Sequence, residues 1–262
     1  MIPSASERRA FTLVELLLVL AIVAMIVALL LPAAFSLRQR ARSTACLSNL
    51  RSLQQASLAY STDSSGWLID ARLPHGGNDQ GSDQSVVNVL ARLRYCDTSL
   101  IRSPLDDSPH WSTQRGGDGV PVPGSIARFR QTSYGLNNHL AREYSPWGGI
   151  SASLASDRLS KVADHANTVQ MLLMATTGEY AGADHPHVEG WGASPAAATI
   201  ASTQVAVAAA SGDAASAASV SNWSFLDGHV ESLSFARVYV HPQRNRLDPN
   251  VSNLFAQISS AQ

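Results

Sequence analysis

The chain has 262 residues, with 19 Lys and Arg against 20 Asp and Glu, and its formal net charge at pH 7 is −1. Hydrophobic residues make up 45% of it, so it lacks the low hydrophobicity and high net charge of a disordered chain. A net charge near zero gives no electrostatic reason to bind nucleic acid, and 2 cysteines are too few for a disulfide-dense scaffold or a thiolate zinc site. Charged residues make up only 15%, against about 25% in a typical domain, which points to long uncharged segments.

The first such segment runs from Leu16 to Leu37 and contains no charged residue. As a helix, its 22 residues would be about 33 Å long, enough to cross a hydrocarbon core of about 30 Å. A buried core helix and a removed secretory signal are the alternatives. However, the run has no polar stripe and is longer than the roughly 7–15 apolar residues of such a signal. The sequence therefore predicts one transmembrane helix at about residues 13–35, with Glu15 near its start and Pro32 near its end.

Residues 8–33 read RRAFTLVELLLVLAIVAMIVALLLPA. This stretch resembles the class III signal of type IV prepilins and type II secretion pseudopilins, in which a basic leader is cut before a Phe that is then N-methylated. The resemblance implies a leader of residues 1–10, cleavage between Ala10 and Phe11, and methylation of the new amine of Phe11. Ala10 stands where that family usually has Gly, and Pro32 matches its helix-loosening proline.

Glu15 would be the fifth residue of the mature chain. Residues four apart share a helix face, so its carboxylate can reach a cationic amine at Phe11. In the family the amine belongs to a neighbouring subunit, and the pair sets the register of subunits in a filament. The resemblance therefore implies a prepilin peptidase, other pilin or pseudopilin subunits and an inner-membrane assembly machinery as partners.

Two signals disagree about the orientation of the anchor. Arg38, Arg40 and Arg42 follow the span, and the positive-inside rule would place that side in the cytoplasm. The prepilin resemblance implies the reverse, with the leader inside. We follow the resemblance and expect a single-pass inner-membrane protein whose C-terminal domain lies in the periplasm or at the cell exterior.

The helix is expected to continue beyond the membrane. No Pro or Gly occurs from Ala33 to Ser65, and apolar or small residues recur at intervals of 3 or 4, which is typical of a packed helix face. These residues are Cys46, Leu50, Leu53, Ser57 and Tyr60. A helix over residues 11–62 followed by a domain of residues 63–262 resembles the layout of a pilin. The predicted fold class is α+β and pilin-like, with a long N-terminal transmembrane helix packed on a globular domain that contains an antiparallel β-sheet.

The elements of the domain are predicted from local patterns. Residues 86–93 are expected to form a short helix, residues 168–174 a buried strand and residues 237–241 a further strand. The clearest signal is the pair Asp227-Gly228 between two runs of strand-forming residues, because Asp-Gly favours a two-residue hairpin turn. Such a turn would place Phe225 opposite Val230.

Residues 192–221 are rich in Ala and Ser, with Asp213 as their only charged residue and no aromatic residue. They are expected to be a mobile, low-complexity surface insertion, with a helix across part of them as the alternative. If they are looped out, nine residues separate His187 from Asp227. This would be a degenerate form of the His-x9-Asp-Gly arrangement of many pseudopilin-like proteins, and Ser133–Asn137 is similar to another element of that group.

Three residues of the domain are candidate metal ligands, since His and Asp often bind divalent metals. They are His187, Asp227 and His229, although the turn itself requires Asp227 and His187 lies in a polar loop. Some type II pseudopilins bind calcium through carboxylates and carbonyls, for which Asp227, Glu231 and Asp248 would be the candidates here, but their spacing matches no calcium loop. No cofactor is therefore expected, with calcium or another divalent metal as the alternative.

The 2 cysteines, Cys46 and Cys96, would meet an oxidising compartment if the domain is exported. A disulfide between them would close about 50 residues and could stabilise the domain by roughly 4 kcal/mol. Two buried free thiols are the alternative.

Motifs of enzymes are absent from the sequence. It contains no Gly-x-Ser-x-Gly, no His-Glu-x-x-His, no phosphate loop and no dinucleotide fingerprint, so no catalytic activity is expected. The predicted function is a structural subunit of a type II secretion or type IV pilus-like filament. The alternative is a membrane-tethered binding module that carries the class III signal but does not polymerise, with its ligand near His187 and Asp227.

Overall fold

The computed structural model describes residues 12–70, 85–124, 128–141 and 155–252. The chain divides into two compact units, Met1–Ala41 and Arg42–Gln262. The helices are α1 (Leu13–Asp63), α2 (Val86–Arg92) and α3 (Ala196–Ser202). The strands are β1 (Tyr134–Leu136), β2 (Val169–Leu173), β3 (Val220–Phe225), β4 (Val230–Ser234), β5 (Tyr239–His241) and β6 (Arg244–Asn245).

In the first unit, the described residues form the N-terminal part of α1. Their large apolar side chains are exposed on every side of the helix: the five consecutive residues from Leu16 to Leu20 are between 48% and 61% exposed. Such a helix needs lipid or other apolar helices around it. By length and composition, α1 is able to cross a membrane.

In the second unit, α1 buries one face. The predicted packed face is confirmed, since four of its five residues are fully buried and the fifth, Tyr60, is partly buried against the same cluster. The helix ends at Asp63, one residue beyond the predicted end. There Gly66, with a φ of +83°, donates its N–H to the carbonyl of Ser61 at 2.7 Å, a common way to close a helix.

Strands β1 to β4 form one antiparallel sheet in the order β1-β2-β3-β4. Successive residues of a strand point to opposite sides of the sheet, and in this sheet the side chains of both faces are buried in hydrophobic clusters. Met171 and Leu173 pack in a cluster with α1 and α2. Leu172, Trp223 and Phe225 pack on the other side, in a cluster that includes α3. The predicted α+β architecture with an antiparallel sheet is confirmed.

A chain of buried polar side chains joins α1 to the sheet; we call it the glutamine chain. Gln54 of α1 donates from Nε2 to Gln170 Oε1 of β2 at 2.6 Å, and Gln170 donates from Nε2 to Ser57 Oγ of α1 at 2.9 Å. Ser224 of β3 donates from Oγ to Gln54 Oε1 at 2.9 Å. All four residues are at most 1% exposed, so each bond is made in the absence of water.

A buried ion pair ties together the loops beside the sheet. Arg130 donates from Nε to Asp106 Oδ2 at 2.7 Å, and the two side chains are 1% and 2% exposed. The remaining donors of Arg130 reach the carbonyl oxygens of Met174, Ala175 and Ala181 at 2.6–3.1 Å. Because these bonds join Arg130 to other segments of the chain, its guanidinium holds those segments together.

The predicted short helix and buried strand are confirmed as α2 and β2. The strand predicted over residues 237–241 is shorter. Phe235–Arg237 form a 3₁₀ turn, so β5 begins at Tyr239 and pairs with β6 in a separate two-stranded ribbon.

The hairpin lies where the sequence places it, but the predicted register was wrong by one residue. Val230 is opposite Ser224 and not opposite Phe225. Leu226 donates its N–H to the carbonyl of Thr168 at 3.0 Å, so it cannot close a two-residue turn. The result is a three-residue loop, in which the turn glycine takes a φ of +100°.

For residues 192–221 the structure confirms the alternative, a helix across part of them; residues 211–215 are exposed, but the segment as a whole is not a surface insertion. The segment forms α3 and adds to the core, and the N–H of Ala206 donates to the carbonyl of Leu173 at 2.8 Å. Ala favours helix, and its small side chain lets a backbone approach closely, so an Ala-rich composition is compatible with burial. The buried apolar residues of the segment are Ala197, Ala198, Ala201, Val205 and Val207.

Candidate functional site

Two of the three candidate metal ligands, Asp227 and His229, lie together, and the third, His187, is paired with Glu189. His229 Nδ1 is 2.6 Å from Asp227 Oδ1 within the hairpin loop, and the His229 ring stacks on Phe225 at a centroid distance of 4.2 Å. His187 Nδ1 is 2.9 Å from Glu189 Oε1. In the parts of the chain that the structure describes, no three His, Cys, Asp or Glu side chains come together as a metal site requires.

The carboxylates considered for calcium also have local partners. Asp248 Oδ1 accepts a hydrogen bond from the N–H of Asn250 at 2.9 Å, and Glu231 Oε1 lies 4.0 Å from Arg237 Nη1. Over the described ranges, they form no cluster with Asp227. The degenerate His-x9-Asp-Gly arrangement stays a prediction.

Cys46 and Cys96 are free thiols in this structure, so the disulfide considered for them is not formed. Burial raises the pKa of the Cys46 thiol, although hydrogen bonds with neighbouring side chains act in the opposite direction. Burial and the negative charge of Asp97 raise the pKa of Cys96 to about 11, and its Sγ lies 3.8 Å from the carbonyl oxygen of Val87. Neither cysteine has the lowered pKa of a reactive thiolate.

The start of α1 is closed by a reciprocal pair of side chains. Thr12 donates its backbone N–H to Glu15 Oε2 at 2.9 Å, and Glu15 donates its own N–H to Thr12 Oγ1 at 3.2 Å. The Thr12 hydroxyl also donates to Glu15 Oε2, at 2.8 Å. This is a capping box, in which a Thr and a Glu three residues later satisfy backbone donors at a helix start. The Thr-x-x-Glu spacing that signals this box can be read from the sequence, although it was not among the predictions.

The predicted cleavage point at Ala10 and Phe11 lies outside the described residues, as does the leader of residues 1–10. The pairing of Glu15 with an amine at Phe11 therefore stays a prediction. The capping box leaves room for it, because an ionised carboxylate has about four acceptor positions and the bonds from Thr12 occupy only two.

Pro32 lies inside α1, which continues through it. Proline has no N–H, so the carbonyl of Ala28, four residues earlier, lacks its usual helical donor. One turn later, the hydroxyl of Ser36 donates to the carbonyl of Ala33 at 2.9 Å. The helix is therefore weaker in hydrogen bonding at one place in its apolar part, as the sequence predicts.

Among its described residues, the N-terminal segment has no group of side chains arranged for catalysis. It offers a long apolar surface, a capped start that carries one carboxylate and a local weak point. These properties suit insertion into a bilayer and packing against other apolar helices, which depend on close contact and on satisfied polar groups.

Comparison with known proteins supports this segment as the site of function. A family model described as the prokaryotic N-terminal methylation motif matches residues 6–31, which include Ala10, Phe11 and Glu15. No curated protein and no solved structure matches the chain. The motif and the long apolar helix fit a single-pass membrane anchor, and the motif is that of a structural rather than a catalytic class of protein.

Proposed function

We propose that this chain, a precursor of the pilin or pseudopilin type, is a structural subunit of a type II secretion or type IV pilus-like filament. The observation that carries the proposal is the methylation motif at residues 6–31, which includes the start of a helix that exposes apolar side chains on all sides. A helix of this kind can pass from lipid into a bundle of identical helices, because both surroundings are apolar.

In this proposal, residues 1–10 are a leader that a prepilin peptidase removes in the inner membrane. Residues 11–62 are the long helix, with residues 13–35 in the membrane, and residues 63–262 are the exported domain in the periplasm or at the cell exterior. The inner-membrane assembly machinery and other subunits are the further partners.

Cleavage before Phe11 would place a cationic methylated amine at the start of α1. A carboxylate in an apolar bundle costs several kcal/mol unless it is paired, and Glu15 retains acceptor positions beyond its bonds to Thr12. An amine from a neighbouring subunit would therefore favour one register between subunits.

The first test is proteolytic maturation. Membranes that contain the full-length chain are incubated with purified prepilin peptidase and a methyl donor, and the product is analysed by intact-mass measurement. The expected result is the loss of residues 1–10 and the gain of one methyl group. A variant with Ala10→Leu should remain uncut, because a large residue replaces the small one before the cleavage point, and an uncut wild-type chain would refute the proposal.

The second test is assembly. Glu15→Ala should be cleaved normally but be incorporated poorly into filaments sheared from cells, because the carboxylate that pairs with the amine is gone. Thr12→Ala is the matched control: it removes the capping hydroxyl and leaves the carboxylate, so incorporation should continue. Normal incorporation of Glu15→Ala would contradict the proposed pairing. If the cleaved wild-type chain never sediments with filaments, the tethered binding module replaces the filament subunit as the function.

A further inference from the structure

The second unit contains an open cavity of about 650 Å³ beside α2. This volume lies within the roughly 300–1,000 Å³ that is usual for small-molecule sites. The cavity is bordered by α2, by the 3₁₀ turn Thr98–Ile101 and by the loop that follows. Its lining includes Arg92, Ser99, Ile101, Arg102, Trp111 and Arg115. Sequence reasoning did not single out these residues, because they form no motif of known spacing.

Three arginines line this cavity, and its described lining contains no Asp or Glu. Within the described parts of the chain, Arg92, Arg102 and Arg115 form no ion pair. The chain as a whole has a net charge of −1, so this concentration of positive charge is local. Cations that share a cavity without a counter-charge raise the local potential and attract an anion.

Two carboxylates in the surrounding loops are already engaged. Asp97 accepts the N–H of Ser99 at 2.7 Å and caps the turn, and Asp106 is paired with the buried Arg130. Neither is among the residues that line the cavity. The described lining therefore carries positive charge only.

Arg102 is held in place by neutral groups. Its Nε and Nη2 donate to the carbonyl of Asp106 at 3.4 and 3.3 Å, and its Nη1 donates to the carbonyls of Arg115 and Gly116 at 3.3 and 3.1 Å. Its guanidinium carbon also lies 5.3 Å from the ring centroid of Trp111, within cation–π range. These contacts fix the side chain but leave its full positive charge, so a ligand would meet a cation that is already ordered.

The depth of the lining residues divides the cavity into a rim and a floor. Arg92 and Arg115 are exposed, whereas Ile101 and Trp111 are buried. The floor is therefore apolar and the rim is charged. An apolar floor with a few convergent polar groups is the usual construction of a site for a small organic molecule.

We propose that this cavity binds a small organic anion. Its carboxylate or phosphate group is bound by Arg92 and Arg115 and attracted by the fixed charge of Arg102, and its flat apolar part lies against the apolar part of the lining beside Ile101. Guanidinium groups match both kinds of oxyanion with paired hydrogen bonds. The binding function is separate from filament assembly, since every lining residue belongs to the second unit and none to the N-terminal segment.

The test uses the purified full-length chain in non-ionic detergent, with isothermal titration calorimetry at about 0.15 M salt to suppress unspecific charge effects. Phenyl phosphate and benzoate are the two organic probes, and phenol and inorganic phosphate are the two halves of phenyl phosphate. We expect at least one organic probe to bind at least about tenfold more tightly than phenol and inorganic phosphate. The two probes then identify which oxyanion the site prefers. If neither probe binds, or if inorganic phosphate binds as tightly as phenyl phosphate, the proposal is overturned.

The variants Arg92→Gln and Arg115→Gln should each raise the dissociation constant of the bound probe about tenfold, because each removes a charge-assisted bond. They are preferred to a change at Arg102, which also ties loop carbonyls together. Arg51→Gln is the matched control, since Arg51 is exposed on α1 and does not line the cavity. The dissociation constant of the probe for this variant should differ from that for the wild type by less than about twofold. An equal loss in the Arg51 variant would show unspecific attraction and overturn the site.

Discussion

Replacing Arg130 by methionine should destabilise the second unit by about 3–5 kcal/mol. Arg130 is 1% exposed and donates to Asp106 and to the carbonyls of three residues in other segments. Methionine is similarly long but has no donor. The carboxylate of Asp106 would then stay buried with only the hydroxyl of Ser133 and the N–H of Ser108 as donors.

The expected loss of stability comes mainly from the carboxylate of Asp106, which stays buried without its positively charged partner. Breaking a buried ion pair by removing one partner costs about 3–5 kcal/mol, because an uncompensated charge remains in the interior. For a unit of this size, each kcal/mol lowers the melting temperature by about 2–4 °C, so a decrease of roughly 6–20 °C is expected. Restoring neutrality with Asp106→Asn in the same chain should recover about 1–3 kcal/mol, which is the range of couplings between residues in contact.

The measurement is urea unfolding of the full-length chain in non-ionic detergent, followed by tryptophan fluorescence and repeated with the double variant. Arg51→Met is the control, because an exposed arginine should contribute within about 0.5 kcal/mol. A loss below about 1 kcal/mol for Arg130→Met, or no recovery in the double variant, would refute the reasoning.

The same pair makes stability depend on pH. Burial alone raises the pKa of the Asp106 carboxyl. However, the charge of Arg130 and hydrogen bonds from Ser133 and Ser108 outweigh it, so that pKa lies below its ordinary value. A lowered folded-state pKa means that this stabilisation is complete above the unfolded pKa of about 3.9 and is lost as the pH falls through the lower folded value. The free energy of unfolding, measured from pH 7 to pH 3, should show this acid-side loss in the wild type and less of it in Asp106→Asn.

Three further predictions concern the core and the thiols. Trp191→Ala should cost about 3–5 kcal/mol in urea unfolding, because its ring is fully buried beside the Ala-rich segment; a neutral effect would contradict the placement of that segment in the core. Gln170→Leu should cost about 1–3 kcal/mol, because it leaves its helix partners in the glutamine chain without bonds. Cys46 and Cys96 should react slowly with iodoacetamide at pH 8 in the folded chain and rapidly in urea, as followed by mass; rapid alkylation of the folded chain would contradict their raised pKa values.

Sequence reasoning was most successful where the signal is local and repeated. The apolar run from Leu16 to Leu37 and the spacing of Cys46, Leu50 and Leu53 each depend on many residues in order, so single exceptions do not change the conclusion. The hairpin shows where local signals are no longer sufficient for prediction. Its position follows from Asp-Gly, but its register depends on a hydrogen bond to Thr168, far away in sequence.

The domain's buried polar groups and its cavity could not be predicted in the same way. Asp106 and Arg130 are 24 residues apart, and Gln54 and Gln170 are 116 residues apart, with no pattern between them. Composition alone did not decide between a mobile insertion and a closely packed helix for the Ala-rich residues 192–221. Burial of alanine depends on what faces it, which only the tertiary structure supplies.

The glutamine chain has a mechanical consequence. A helix that touches a sheet only through apolar side chains can slide along it, since one leucine can take the place of another. A slide by one helical turn, about 5.4 Å, would separate Gln54 and Ser57 from their partners on the sheet and leave several buried polar groups unpaired, each at about 1–3 kcal/mol. The sheet therefore has one axial position on α1. A pull along the helix axis is resisted by these bonds acting together, and the domain should slip only by breaking all of them at once.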